Sequence, residues 1–167
     1  MNTHFEETMS IKVEPDPVLR KKTTLVSREW IVTSDAKVFF KKLHERMHIA
    51  DGIGIAAPQV GVSMRICIVS DSGKNFQLLI NPEITWQSRE TNVSLEGCLS
   101  VPHTFGDVKR PKSVHVKALD ENGKVVKLKA KAMLSRVIQH EIDHLNGVLF
   151  IDKAVNIYTS TTENMQI

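Results

Sequence analysis

Along the chain, apolar residues first recur three and four apart between Phe39 and Ala50. Phe39, Phe40, Leu43, Met47 and Ala50 fall on one stripe, which predicts an amphipathic helix. Thr33-Ser34-Asp35 supplies its N-cap, and Gly52 and Gly54 stop it. A second helical period runs from about Ala132 to Asn146. There Met133, Leu134, Val137, Ile138, Ile142 and Leu145 cover roughly half the circumference, as in a largely buried helix. Gly147 follows as a natural C-terminal stop. Between the helices, MRICIVS and FQLLINP predict strands, with a longer one across ITWQSRETNVSL. Residues 114–119 and 125–130 form a hairpin pattern around Glu121-Asn122-Gly123. IKVEPDPVLRKKT, with two prolines close together, predicts an extended, turn-rich lead-in, and residues 1–10 and 158–167 are expected to fray. Strands outnumber helices without alternating with them, so the expected class is α+β, mostly antiparallel, in one domain over residues 1–167.

Composition narrows the classes. A net charge of +3 is mild, aromatics are few, and the basic residues are scattered. Solvated faces explain them without a specific nucleic-acid partner. Two cysteines, Cys67 and Cys98, make no disulfide framework. MNTHFEETMS is too polar for a signal peptide, and no apolar run approaches the roughly 18 residues of a membrane span. The expectation is a cytoplasmic protein whose thiols stay reduced and free to bind metal.

The pattern His-Glu-x-x-His occurs twice, as HERMH at 44–48 and HEIDH at 140–144. Histidines four apart on a helix share a face and can converge on one ion. In the first helix, His44 lies on the flank of the apolar stripe and His48 turns about 140° from its centre, toward solvent. HERMH therefore reads as surface histidines. In the second helix, His140 and His144 edge the apolar half and Glu141 falls inside it, and a carboxylate there needs a partner or a task. The bland alternative is a buried helix whose histidines bond backbone.

A third donor must come from elsewhere. The extended zinc-protease pattern would place a histidine where this chain has Phe150. The only downstream glutamate is Glu163, in the tail. Upstream lies EGCLS, residues 96–100, with Cys98 after a flexible glycine. Cysteine with two histidines is a known three-donor catalytic set that leaves a fourth position open. A small buried thiol is the plainer reading of Cys98. GIGIAAPQVG, residues 52–61, formally matches a dinucleotide fingerprint, but a helix precedes it and Pro58 blocks one after it. A turn explains it. So does a strand-like edge, where Gly52 and Gly54 admit a ligand backbone and Gln59 offers a neutral donor to an oxyanion.

Taken together, GIGIAAPQVG, EGCLS and QHEIDHLNG resemble, in order and spacing, the three motifs of peptide deformylases, and IKVEPDPVLR resembles their N-terminal segment. The resemblance implies strands around a central metal-bearing helix. It implies Cys98, His140 and His144 as ligands of one divalent ion, Fe²⁺ in the cell with Zn²⁺ or Ni²⁺ as substitutes. It further implies Glu141 as acid and base, with the Gln59 side chain and the Leu99 N–H meeting the oxyanion. Ile53, Gly54 and Gly97 would hold the peptide backbone, and Ile53, Met133 and Val137 would stand near a methionine pocket. Glu96 would pair with Arg110 as a brace. The implied reaction is removal of formyl from N-formylmethionyl peptides, releasing formate.

Two departures stand out. Many members carry an arginine after CLS that helps hold the substrate, and here that neighbourhood reads VPHTFGD, with Phe105. The chain also lacks the long basic C-terminal helix that many bacterial members dock on the ribosome. Short tails characterise phage-encoded members, so the expectation extends to a host cytoplasm and leaves ribosome contact open. The rivals are a zinc endopeptidase and a non-enzymatic domain with a structural metal.

Overall fold

A computed structural model describes residues 9–72 and 75–160. The expected fraying of residues 1–8 and 161–167, and Glu163, lie outside the described residues. In chain order the elements are α1 (Arg28–Ile31), α2 (Ser34–Ile49), β1 (Gly54–Ala56), β2 (Ile66–Val69), β3 (Gln77–Gln87), β4 (Thr91–Cys98), β5 (Val101–Pro111), β6 (Ser113–Leu119), β7 (Val125–Lys131), α3 (Ala132–Leu145) and β8 (Ala154–Thr159). Short 3₁₀ turns at Pro17–Arg20, Ala57–Val60 and Phe150–Asp152 connect them. The class is α+β, as expected.

The large sheet runs β1-β2-β3-β6-β7, antiparallel throughout. Its first strands are covered on both faces. Ile66, Ile68 and Ile80 join Phe39, Leu43 and Met47 of α2 in one apolar cluster. Their neighbours Cys67, Val69 and Leu79 join Val137, Ile138 and Ile142 of α3 in another. Alternation along the strand thus sends successive residues to opposite helices. That is why β2 reads as an unbroken apolar run, Ile66-Cys67-Ile68-Val69, with every position buried. Burying each large side chain contributes about 1.5–3 kcal/mol.

Both long helices begin and end close to expectation. Thr33 Oγ1 accepts the Ala36 N–H at the start of α2. Gly147, at φ +75°, follows α3 in the left-handed region and packs on the Arg20 backbone, where a side chain would collide. The predicted hairpin is β6–β7, and its turn is fixed by Asp120 Oδ1 accepting the Asn122 and Lys124 N–H groups.

Three expectations are corrected. The long strand across residues 84–95 is two strands, β3 and β4, separated at Ser88–Glu90, where Ser88 Oγ donates to the Glu90 carbonyl. β5 was unforeseen, and it forms the middle of a second sheet, β4-β5-β8. The tail is not frayed at Tyr158, which pairs in β8 with Phe105 of β5 and donates its hydroxyl to Asp107 at 2.7 Å.

Candidate active site and metal centre

Two periodicities meet at one point. In β4, Glu96 and Cys98 are two residues apart and face the same side, toward α3. On α3, Arg136, His140 and His144 are successive steps of four along one face. The Cys98 Sγ and one ring nitrogen each from His140 and His144 lie within 4.8 Å of one another. Sγ and His144 Nε2 are 3.2 Å apart. Among the described residues this is the one group of three or more such donors arranged to hold an ion.

A ring of fixed groups surrounds the donors. Glu96 Oε2 lies 3.0 Å from His140 Nδ1 and so leaves the other ring nitrogen to face Cys98. Glu96 itself is gripped by Arg110, through Nε at 2.6 Å and Nη2 at 2.8 Å, and by Arg136 Nη1. Arg110 also reaches Asp143 at 2.8 Å, and Lys153 reaches the same carboxylate at 2.6 Å. Burial opposes the Glu96 charge, but Arg110 and His140 outweigh it and hold the carboxyl far below the usual range. His140 responds in kind: burial pulls it down, yet Cys98 and Glu96 push it up to about 10. Burial and the positive charge of His140 drive His144 well below its ordinary value. A half-buried thiol and two imidazoles, one of them backed by a carboxylate, thus offer three convergent donors to a single cation.

Glu141 is buried and stands beside Gly54, whose missing side chain leaves room for the carboxylate. Its Oε2 has no protein partner. Burial raises its pKa to about 7. Gln59 is held from the other side: its Oε1 accepts the Ala56 N–H at 2.8 Å, which aims Nε2 at Cys98 Sγ (3.6 Å) and Ser100 Oγ (3.3 Å). The Ser100 N–H also points at Sγ, at 3.4 Å. This donor set fits a divalent ion of borderline softness, and the unpartnered Glu141 oxygen suits a water beside it.

Beside these groups opens a cavity of about 440 Å³. Ile53, Gly54, Gln59, Gly97, Leu99, Met133 and Val137, all singled out in the sequence, line it along with Cys98, His140 and Glu141. Its walls include β1 and β4, each paired on one side only. Gly54 also leaves no room for a side chain of its own: a Cβ there would meet Val137 and Glu141. Phe150, at the would-be third-histidine position, is buried and stacks on His140 at 6.3 Å. HERMH lies elsewhere, on α2. His48 is exposed and His44 half-buried, and their Nε2 atoms are 3.2 Å apart against Phe76, with no third donor among the described residues. Sequence reasoning missed Arg136 and Asp143. The signal for Arg136 was present, since it stands one helical step before His140 on the same face.

The sequence pattern of the polypeptide deformylase family matches residues 8–159. A peptide deformylase of Pseudothermotoga lettingae is 49% identical over 142 residues, covering 85% of this chain and 80% of that protein. The crystal structure of peptide deformylase from Thermotoga maritima superimposes with a TM-score of 0.84 at 39% identity, covering 90% of this chain and 99% of that one. The structure of a probable peptide deformylase from Synechococcus phage S-SSM7 gives a TM-score of 0.78 at 41% identity, covering 87% and 99%. The fold and the clustered donors define a metal-dependent hydrolase. The chain belongs to the polypeptide deformylase family, whose members remove N-formyl groups from peptides.

Proposed function

We propose that the chain deformylates N-formylmethionyl peptides, with Cys98, His140 and His144 holding one Fe²⁺ ion and Glu141 carrying the proton. The observation that supports this most directly is the convergence of three donors beside a buried carboxylate with one unpartnered oxygen. When bound, the ion supplies Lewis acidity that lowers the pKa of a water toward neutrality and polarises the formyl carbonyl. Zn²⁺ or Ni²⁺ suits the same donors.

The chain's own groups do the rest. Glu141, with a carboxyl poised near neutrality, takes the proton of the attacking water and returns it to the leaving amine. The Gln59 amide, locked by Ala56, and the Leu99 N–H stabilise charge developing on the formyl oxygen. The free edges of β1 and β4 accept the peptide as an added strand, with backbone bonds around Ile53, Gly54 and Gly97. Methionine enters the space bounded by Ile53, Met133 and Val137. The setting is the cytoplasm in which formylated chains emerge. No helix among the described residues is long and apolar enough to cross a membrane.

The test is formate release from formyl-Met-Ala-Ser under anaerobic, iron-loaded conditions, against an acetylated and an unblocked control. Deformylation of the formyl peptide alone is expected, and Glu141→Ala should abolish it while retaining the ion. Cleavage of an internal bond in the acetylated peptide would instead favour an endopeptidase.

A further inference from the structure

Outside the site, the outward face of the small sheet carries an apolar strip alongside Asp107 and Lys109, where a sheet face normally meets water with polar residues. Alternation along β4 turns Glu96 and Cys98 inward and leaves Val93 and Leu95 outward, 55% and 54% exposed. Phe105 of β5 is 41% exposed and pairs across the sheet with Gly97 on one side and Tyr158 on the other. Gly97 has no side chain, and the Phe105 ring fills that space, 3.0 Å from where a Cβ would stand. The ring therefore reaches over Gly97 toward the free edge of β4. Leu95, Gly97 and Phe105 also line the cavity, so this apolar strip is continuous with the substrate site.

Geometry then selects which part of a substrate meets the strip. A strand added along β4 alternates its side chains between the two faces of the sheet. Methionine faces inward, toward Val137, so the next residue faces outward, beside Leu95 and the Phe105 ring. We infer that Phe105 and Leu95 form a specificity wall for the residue directly after formylmethionine, and that the preferred side chain there is large and apolar. This rests on the deformylase reading of the site.

The test measures kcat/KM for formyl-Met-X-Ser with X as Ala, Leu, Phe, Ser or Asp, and for formyl-Met-Ala-X with the same set. Turnover of formyl-Met-Ala-Ser reports on the deformylase reading; the ratios across X report on the wall. Leu and Phe at the second position are expected to exceed Ser and Asp by about tenfold, chiefly through KM, as burial of one apolar side chain implies. Phe105→Ala and Leu95→Ser should each collapse that ratio, and Phe105→Leu should restore most of it. Both positions are exposed, so each variant should fold, which thermal melts check. A flat profile, a preference confined to the third position, or a ratio that survives Phe105→Ala would overturn the inference.

Discussion

Replacing Gly54 with alanine tests the placement of Glu141 with a single methyl group. Gly54 does not occupy a left-handed conformation, so alanine meets no backbone penalty. The penalty is steric. The new Cβ would stand 2.9 Å from Val137 Cγ1 and 3.0 Å from Glu141 Cδ, with Glu141 Oε1 closer still. Carbon pairs prefer about 3.5–4.0 Å, so the Val137 contact is short by more than half an ångström. Val137 is buried on α3 and packed among its neighbours, whereas the carboxylate can rotate. Glu141 is therefore expected to yield, at about 0.5–1.5 kcal/mol for an off-rotamer side chain, within a total overpacking cost of about 1–3 kcal/mol. A misplacement of about 1 Å in a catalytic group can cost about 100-fold in rate. The expected result is a loss of roughly that size in kcat for formyl-Met-Ala-Ser, with metal content unchanged and a modest fall in melting temperature. Combining Gly54→Ala with Glu141→Ala supplies the control: if the methyl acts through the carboxylate, the double variant is no slower than Glu141→Ala alone. A Gly54→Ala enzyme with near-normal kcat, or strictly additive losses in the cycle, would refute this reasoning.

Further outcomes follow from the same geometry. Iodoacetamide should modify metal-free protein once, at Cys98, and a bound ion should block the reaction; Cys67 is fully buried and its thiol is pushed far up, so labelling there under native conditions would contradict the structure. Glu96→Gln should weaken metal retention about 10–100-fold, read by competition with a chelator. Glu96→Ala should also lower stability by about 3–5 kcal/mol in denaturant unfolding, because it removes the carboxylate paired with buried Arg136 and leaves buried Arg110 with Asp143 alone. Replacing His44 and His48 together with alanine should alter neither activity nor the metal content of purified enzyme. Loss of the catalytic ion in that variant would reverse the assignment of the two His-Glu-x-x-His stretches.

The parts legible in the sequence were those whose inward faces are apolar. α2, α3 and the β6–β7 hairpin bury Leu, Ile, Val and Phe at the proper period, and their ends carry recognisable caps and turns. β5 does not follow that pattern. Its inward set includes Gly106 and Arg110 beside Val108, so a buried arginine stands where alternation would show an apolar residue. β8 is mostly exposed and is held by pairing to β5, a partner invisible to a local pattern. The site divides in the same way. The spacing of His140, Glu141 and His144 is local to one helix and could be read directly, and Cys98 emerged once downstream donors failed. The partners of Arg136 and Asp143, Glu96 and Arg110, lie far away in sequence, so no local pattern pairs them.

The small sheet is joined to the rest of the molecule in an unusual manner. Neither large apolar cluster draws a residue from β4, β5 or β8. What crosses from β4 and β5 to α3 is polar: the network of Glu96, Arg110, Arg136, Asp143 and His140, joined by Ser135 and Gln139 donating to the Pro111 carbonyl. This seam is ionic. An ion held by Cys98 on one side and two histidines on the other would act as a rivet through it. Removing the rivet should quicken amide hydrogen exchange in β4 and β5 well before it does so in β2. On the proposed function, escape of the ion and loosening of the edge that takes the peptide would be one breathing motion, and its frequency would set how long the enzyme stays loaded.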